Sequence, residues 1–279
     1  MAVIRLAMAD LIRTFKNPKI LVIILLGVFF FWDEIESMRN IAEQYQLGIT
    51  TYIYAVIPIG WRGRMYCLIL IAMLLAEAPF NSGAEIFVNM RVNRYKWFFG
   101  KIVYIFMISV IFHIILFAIS VVVCFPYISL SSQWGDVINT YIVSIQGHVS
   151  ASGTVDNTNL LSMSPIIAIM WEFVLMVLIS VMIGEMVLML NGMMRNFMGT
   201  VIVGVFVMLD IYMNDLAINE ICYVERYFPT TWIDINNLLT VEGLSFTNCV
   251  VYMLLIIVVL LVSGLVLVHK KVIRPVNNV

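Results

Sequence analysis

The sequence predicts an all-α polytopic membrane protein with six transmembrane helices, and three observations lead to that prediction. Hydrophobic residues make up 62% of the 279-residue chain and charged residues only 12%, against roughly 25% charged in a soluble domain. The apolar residues are gathered into runs near the length that crosses a bilayer. The basic residues fall mainly in alternate loops between these runs. We therefore expect residues 1–279 to form a single transmembrane domain.

Six apolar runs define the predicted spans. They cover residues 20–32, 65–76, 101–125, 165–190, 197–212 and 249–268. Some are shorter than the ~20 residues that a transmembrane helix needs, so we expect them to continue into neighbouring sequence. Residues 49–59, for example, are apolar enough to extend the second span outward. The connection at 191–196 is so short that the fourth and fifth spans must form an antiparallel hairpin.

The distribution of Lys and Arg orients these spans. Only four basic residues lie on one side, namely Arg39, Arg62, Arg64 and Arg226. The other side carries Arg5, Arg13, Lys16, Lys19, Arg91, Arg94, Lys96, Lys101, Arg195, Lys270, Lys271 and Arg274. Cytoplasmic loops carry the excess of positive charge. Both termini are therefore predicted to be cytoplasmic, in a multi-pass protein of the plasma membrane.

Residues 1–17 are predicted to form an amphipathic helix at the membrane interface. At about 100° per residue, one face carries Ile4, Met8, Leu11, Ile12 and Phe15. The opposite side carries Arg5, Arg13 and Lys16. Such a helix lies with its apolar face in the bilayer and its cations near anionic headgroups, and Asn17-Pro18 ends it. The alternative is a simple positively charged anchor before the first span.

Two long outer segments separate other spans. Residues 127–164 are polar and contain no Lys or Arg, and 138–145 alternate weakly, as a short strand would. Residues 214–248 include an aromatic, Pro-containing stretch at 227–232, which fits short helices dipping into the outer leaflet. Irregular backbone at that depth must be surrounded by protein or water.

Other features of the outer side leave alternatives open. Tyr52, Tyr54 and Trp61 fit an interfacial aromatic belt. Cys222 and Cys249 both lie near the outer face. They are compatible with a disulfide, although Cys also serves as a small buried hydrophobe.

The inner loop, residues 77–101, has more features than a simple connection needs. Asn81 or Ser82 can cap a short amphipathic helix with Glu85 in its first turn, where the helix dipole favours an acid. Arg91 and Arg94 follow in a basic cluster, and a Gly-Lys pair opens the third span. A short cytoplasmic helix held between two spans is suited to contact a docking partner.

This loop resembles the segment between the second and third spans of ABC-2-type transporter permeases. That family has a Glu with a Gly-centred short helix, a basic residue before an aromatic one, and a Gly-Lys at the start of the third span. The matching positions are Gly83 and Glu85, Arg94 and Trp97, and Gly100 and Lys101. The six-span topology, the amphipathic N-terminal helix and the aromatic segment before the last span are also similar to that family. Ala84 and Ile86 depart from its common Thr, which leaves the subfamily and the substrate open.

The resemblance implies the permease subunit of an ATP-driven exporter. Coupling to a cytoplasmic ATP-binding subunit would then involve Gly83, Glu85, Arg91, Arg94, Trp97 and Lys101. A second copy or a sister permease and membrane lipid are the other expected partners. Gly100-Lys101 is followed by Ile102 and lacks the preceding Gly of a phosphate-binding loop, so we expect neither ATPase activity nor a cofactor in this chain. The few charges within the spans favour an amphipathic or hydrophobic cargo, such as a peptide or a lipid-like compound.

Ionisable residues inside the spans support a second interpretation. Glu172, Glu185 and His113 lie within predicted spans, where a charge costs about 2.5–3.5 kcal/mol on insertion scales. They predict either the pathway of an ion- or proton-coupled secondary transporter, or acids that pair across helices or face a water-filled interior. Hydrolase motifs are absent from the sequence, so an intramembrane hydrolase using Glu172 and His113 ranks third. The basic residues show no aromatic interleaving that would indicate nucleic-acid binding.

Overall fold

The computed structural model describes residues 2–59, 61–78, 92–146, 157–194, 197–216, 228–240 and 244–270, and these parts are mostly helical. The helices are α1 (Ala2–Lys16), α2 (Lys19–Tyr45), α3 (Trp61–Leu75), α4 (Arg94–Val123), α5 (Asp136–Gln146), α6 (Pro165–Met194), α7 (Met198–Leu216), α8 (Ile235–Thr240) and α9 (Phe246–His269). Two short strands, β1 (Ile49–Thr50) and β2 (Ile128–Ser129), pair in parallel. Residues 138–145, whose pattern fits a strand, belong to α5 instead.

Three helices in the described ranges are long and apolar enough to cross a membrane. They are α4 and α6, each of 30 residues, and α9, of 24 residues. A fourth crossing exists if Thr51–Ile59 and Arg62–Leu75 form one span broken by a 97° bend. The apolar part of α2 gives way to a polar extension, and the apolar part of α7 covers only Met198–Leu209. The helical membrane class is thus confirmed, while the six-span topology and the cytoplasmic termini stay predictions.

Helix α6 lies at the centre of the bundle, packed against α3, α4, α7 and α9. The absence of a side chain at Gly184 of α6 allows α3, α4 and α6 to pack closely at this point. A Cβ atom there would lie 2.5 Å from Ile105 Cγ2 of α4 and 2.9 Å from Leu75 Cδ1 of α3. Both neighbours are buried, so neither side chain can turn outward to make room.

Gly184→Val is therefore expected to destabilise the bundle by about 1–3 kcal/mol, the usual cost of overpacking a core. The matched control is Gly204→Val on α7, because no atom lies within 4 Å of a Cβ at Gly204. Thermal unfolding of the purified protein in detergent should show a lower Tm for the first variant only. Equal Tm values for the two variants would show that α3, α4 and α6 do not meet at Gly184.

Two irregular segments enter the bundle at the end that the sequence predicts to lie outside. The first broken segment, residues 49–59, contains β1 and the 3-10 turns Thr51–Ala55 and Ile57–Ile59, and it packs against α3, α4 and α6. The second broken segment, residues 228–235, contains the 3-10 turn Thr231–Ile233 and packs against α6. Both are largely buried, which satisfies the requirement that irregular backbone at membrane depth be covered by protein.

The first broken segment bends away from α3 instead of extending it in a straight line. Gly63 lies in the first turns of α3, and a Cβ there would overlap the carbonyl oxygen of Ile57. The absence of a side chain at Gly63 therefore permits the sharp turn. Tyr54 is only 1% exposed, so it lies inside the bundle and does not belong to an interfacial belt.

Helix α1 lies along the beginning of α4. Ala7 and Leu11 are buried, and Leu6 Cβ would lie 3.1 Å from a Cβ at Gly100 of α4. Ile4, Met8, Ile12 and Phe15 form an exposed stripe along the helix. A helix is thus present over Ala2–Lys16, with Leu11 directed to the protein, while its place at the membrane interface stays a prediction.

Candidate functional site

Three ionisable side chains, Arg64, Glu172 and Asp234, are buried in the bundle, and we call them the charge cluster. Arg64 Nη1 of α3 lies 3.6 Å from Asp234 Oδ2 at the end of the second broken segment, and each side chain is 9% exposed. Glu172 of α6 is 1% exposed. Arg64 and Asp234 both act on Glu172 electrostatically.

Glu172 is the acid of the charge cluster that lacks a hydrogen bond. Within the described residues, neither of its carboxylate oxygens has a hydrogen-bond partner. The distance between Arg64 and Asp234 exceeds the ~2.7–2.9 Å of a charge-assisted hydrogen bond, so that contact is an ion pair without such a bond. Burying an unpaired charge is costly, so binding of a proton or of another cationic group would favour the buried position of the Glu172 carboxyl.

His113 holds the first broken segment in place through hydrogen bonds. Its Nδ1 is 3.0 Å from the Tyr54 hydroxyl, and its Nε2 is 2.7 Å from Ser180 Oγ of α6. All three side chains are buried. His113 thus joins α4, α6 and the first broken segment.

Glu185 is far from Glu172 along the same helix. It lies thirteen positions after Glu172 on α6, which is about 20 Å along a helix at ~1.5 Å per residue. Its side chain is buried, and its carboxylate oxygens have no hydrogen-bond partner among the described residues. Among the described residues, His113 makes no hydrogen bond to Glu172 or Glu185. Its partner Ser180 lies eight residues after Glu172 and five residues before Glu185 on α6.

The six proposed coupling residues differ in their surroundings. Gly83, Glu85 and Arg91 lie outside the described residues. Arg94 is exposed at the start of α4, where the side chain of Asn93 accepts a hydrogen bond from the Tyr95 amide. This exposed position leaves Arg94 accessible to a partner.

Trp97 and Lys101, the other two, are buried, and each is 3% exposed. Lys101 Nζ lies 3.0 Å from Asp10 Oδ2 and 6.0 Å from the centre of the Trp97 ring. Asp10 is also 3.4 Å from Arg13 Nη1 of its own helix. The ion pair of Lys101 with Asp10 holds α1 against α4, and neither Trp97 nor Lys101 offers its side chain to solvent.

The beginning of the inner loop is attached to the hairpin of α6 and α7. Asn191 Nδ2 donates to the carbonyl oxygens of Ala76 at 3.1 Å and Ala78 at 2.7 Å. Its Oδ1 accepts from the Thr200 amide at 3.0 Å, and Thr200 Oγ1 donates to Ala76 at 3.1 Å. The sequence analysis missed Asn191 and Thr200, although the short connection between the two spans placed both at this end of the hairpin.

A titratable group lies on the outer side, beyond the apolar part of α2. Burial raises the pKa of Glu34 to about 7, with a further increase from Asp33 and an opposing effect of Arg62. The Tyr66 hydroxyl donates to Asp33 Oδ2 at 3.3 Å. A carboxyl with this pKa is about half protonated at neutral pH. The outer end of α2 is therefore sensitive to pH near neutrality.

The described residues offer few other groups that could bind a metal ion or form a covalent bond. They contain no group of three His, Cys, Asp or Glu side chains that could hold a metal ion. Cys67, Cys124 and Cys249 are buried thiols, and Cys222 lies outside the described residues, so its pairing with Cys249 stays open.

Comparison of the chain with protein-family models, with curated proteins and with solved structures gives no match.

Proposed function

We propose that this chain is the permease subunit of an ATP-driven exporter similar to ABC-2-type transporters. The observation that carries the proposal is the attachment of the inner loop at both of its described ends. Asn191 and Thr200 hold residues 76–78 to the α6–α7 hairpin, and α1 packs on the first turns of α4 through Lys101 and Asp10. A force applied between residues 78 and 92 would therefore be transmitted both to the α6–α7 hairpin and to α1.

The proposed mechanism follows from these attachments. A cytoplasmic ATP-binding subunit docks on the inner loop, where Gly83, Glu85, Arg91 and Arg94 contact it. Movement of the loop shifts α6 through Asn191 and shifts α1 through Trp97 and Lys101. Because both broken segments pack on α6, the shift rearranges the outer half of the bundle around the charge cluster and opens it for cargo.

The remaining features of the proposal concern assembly and cargo. The chain crosses the plasma membrane six times with both termini in the cytoplasm. Two copies, or this chain with a sister permease, enclose the pathway, because one such bundle has too few helices to enclose a large one. The scarcity of charge within the spans suits an amphipathic or hydrophobic cargo, such as a peptide or a lipid-like compound.

The docking role is tested by affinity purification of the tagged chain from its native membranes. We expect an ATP-binding subunit to co-purify, and the double variant Glu85→Arg/Arg94→Glu to lose both that subunit and vanadate-sensitive transport while still inserting into the membrane. Lys270→Glu is the matched control, since Lys270 is an exposed cation at the end of α9 and outside the loop. Unchanged co-purification in the double variant would refute docking on the inner loop.

A proton-coupled carrier is the second candidate function, because buried Glu172 lacks a hydrogen-bond partner among the described residues. Glu172→Gln separates the two candidates, since Gln keeps the shape of the side chain but cannot ionise. The exporter should retain substantial transport in this variant, whereas a carrier that uses Glu172 should lose coupled transport. Loss of transport in Glu172→Gln, with vanadate-resistant transport in the parent, would favour the carrier.

A further inference from the structure

A polar groove opens where α1, α2 and α3 approach the first half of α4, and we call it the inner groove. Its polar lining consists of Arg13, Thr14, Asn17, Lys19, Glu77 and Tyr104, and the groove is open to solvent. The Thr14 and Tyr104 hydroxyls, 2.8 Å apart, close one wall. The groove is thus built from residues far apart in sequence.

The cations of the inner groove are only loosely engaged by protein acids. Lys19 Nζ lies 2.7 Å from Glu77 Oε1, but the two side chains are 40% and 47% exposed. Arg13 Nη1 lies 3.4 Å from Asp10, whose closer partner is the buried Lys101 at 3.0 Å. Exposed ion pairs contribute about 0–1 kcal/mol. Arg13 and Lys19 can therefore exchange these contacts for a stronger anionic ligand at small cost.

The remaining polar side chain near the mouth of the inner groove also suits an anion. Asn17 Oδ1 accepts from the Lys19 amide at 3.1 Å. This contact orients the Asn17 amide and leaves its Nδ2 group able to donate. An anion between Arg13 and Lys19 would thus meet two cationic groups and a neutral donor, the type of site that holds a phosphate.

The surface beside the inner groove is apolar. On α2, Val22 lies one turn after Lys19 on the same side of the helix, and it is 51% exposed. A helix with this apolar surface and a cationic rim lies at the level of lipid headgroups. The inner groove therefore lies at headgroup depth, with apolar surface beside it for acyl chains.

We propose that the inner groove binds the headgroup of an anionic phospholipid from the inner leaflet. Arg13 and Lys19 contact the phosphate, and the acyl chains lie along the surface that begins at Val22. The phosphate displaces Glu77 from Lys19. Because Glu77 is the first residue of the inner loop, occupancy of the groove changes the contacts at that end of the loop. The binding site itself does not depend on the exporter proposal.

The test measures phosphatidylglycerol affinity of the purified full chain in detergent, by native mass spectrometry and by the rise in Tm on lipid addition. Arg13→Gln and Lys19→Gln should each weaken binding about fivefold, which corresponds to about 1 kcal/mol per cation near a headgroup. Glu77→Gln should strengthen binding, because it removes the competitor for Lys19. Tighter binding in Glu77→Gln is the result that an acid serving only the fold would not give.

Two controls identify the source of the anion and the specificity of the groove. Lys16→Gln removes an exposed cation of α1 that does not line the groove, so it should leave the affinity unchanged. Phosphatidylcholine and inorganic phosphate should not raise the Tm. A loss of phosphatidylglycerol affinity in Lys16→Gln equal to that in Arg13→Gln would show diffuse attraction and overturn the proposal. An equal rise in Tm with inorganic phosphate, or weaker lipid binding in Glu77→Gln, would overturn it as well.

Discussion

Arg64→Met is expected to destabilise the protein by about 3–5 kcal/mol, the typical cost of removing one partner of a buried ion pair. The variant leaves Asp234 and Glu172 as acids without their nearby cation, in a region where Arg64 and Asp234 are each 9% exposed. The loss should appear as a lower Tm and a smaller yield of monodisperse protein after extraction. It should also free the second broken segment, which Arg64 ties to α3.

Two further variants make this expectation specific. Arg64→Met/Asp234→Asn removes both charges of the ion pair and should recover part of the lost Tm, because the uncharged amide at position 234 needs no cation in the place of Arg64. Arg39→Met tests the loss of an outer Arg that is only partly buried and stacks on Trp32 at 3.5 Å, and it should cost less than Arg64→Met. Similar Tm values for Arg64→Met and Arg39→Met would contradict the structural role of the charge cluster.

Lys101→Met is the second change for which we expect a large effect, and it acts on the inner side. It removes the closest cation of Asp10, which then retains only Arg13 at 3.4 Å. Helix α1 should separate from α4, and its amide hydrogens should exchange faster while those of α6 stay protected. Since α1 moves with the inner loop in the proposed mechanism, vanadate-sensitive transport should fall to background.

The neighbouring residues supply the controls for this result. Lys96→Met removes an exposed cation of the same helix and should leave exchange in α1 unchanged. Asp10→Asn/Lys101→Met leaves no buried charge at the contact and should restore most of the protection of α1. Normal exchange and normal transport in Lys101→Met would show that the ion pair neither holds α1 nor couples it to transport.

The parts of the fold that follow from local pattern were predictable from the sequence. Apolar runs place α4, α6 and α9, and the periodicity of the first residues places α1, because both signals depend only on neighbouring positions. Residues 138–145 show the limit of that approach. Their weak alternation fits a strand, yet they form part of α5, which packs against α2.

The site was predictable in its residue types and not in its pairings. Glu172 and His113 stand out because ionisable groups are rare in apolar spans. Arg64 appeared to be an outer-loop cation, and its partner Asp234 lies 170 positions later in the chain. Lys101 was assigned to docking, whereas its side chain contacts Asp10. Such pairs depend on how distant helices pack, and a single sequence carries no local signal for them.

The first broken segment also constrains the order in which the chain can be assembled in the membrane. Its Ile49 amide donates to the carbonyl oxygen of Tyr127, and Thr50 Oγ1 donates to that of Trp134. Tyr54 depends on His113 of α4, and His113 in turn depends on Ser180 of α6. All of these partners are synthesised after residues 49–59. The segment can therefore complete these contacts only after α6 has been synthesised, so its place in the bundle, after α4 and α6, is the last of the three to be filled.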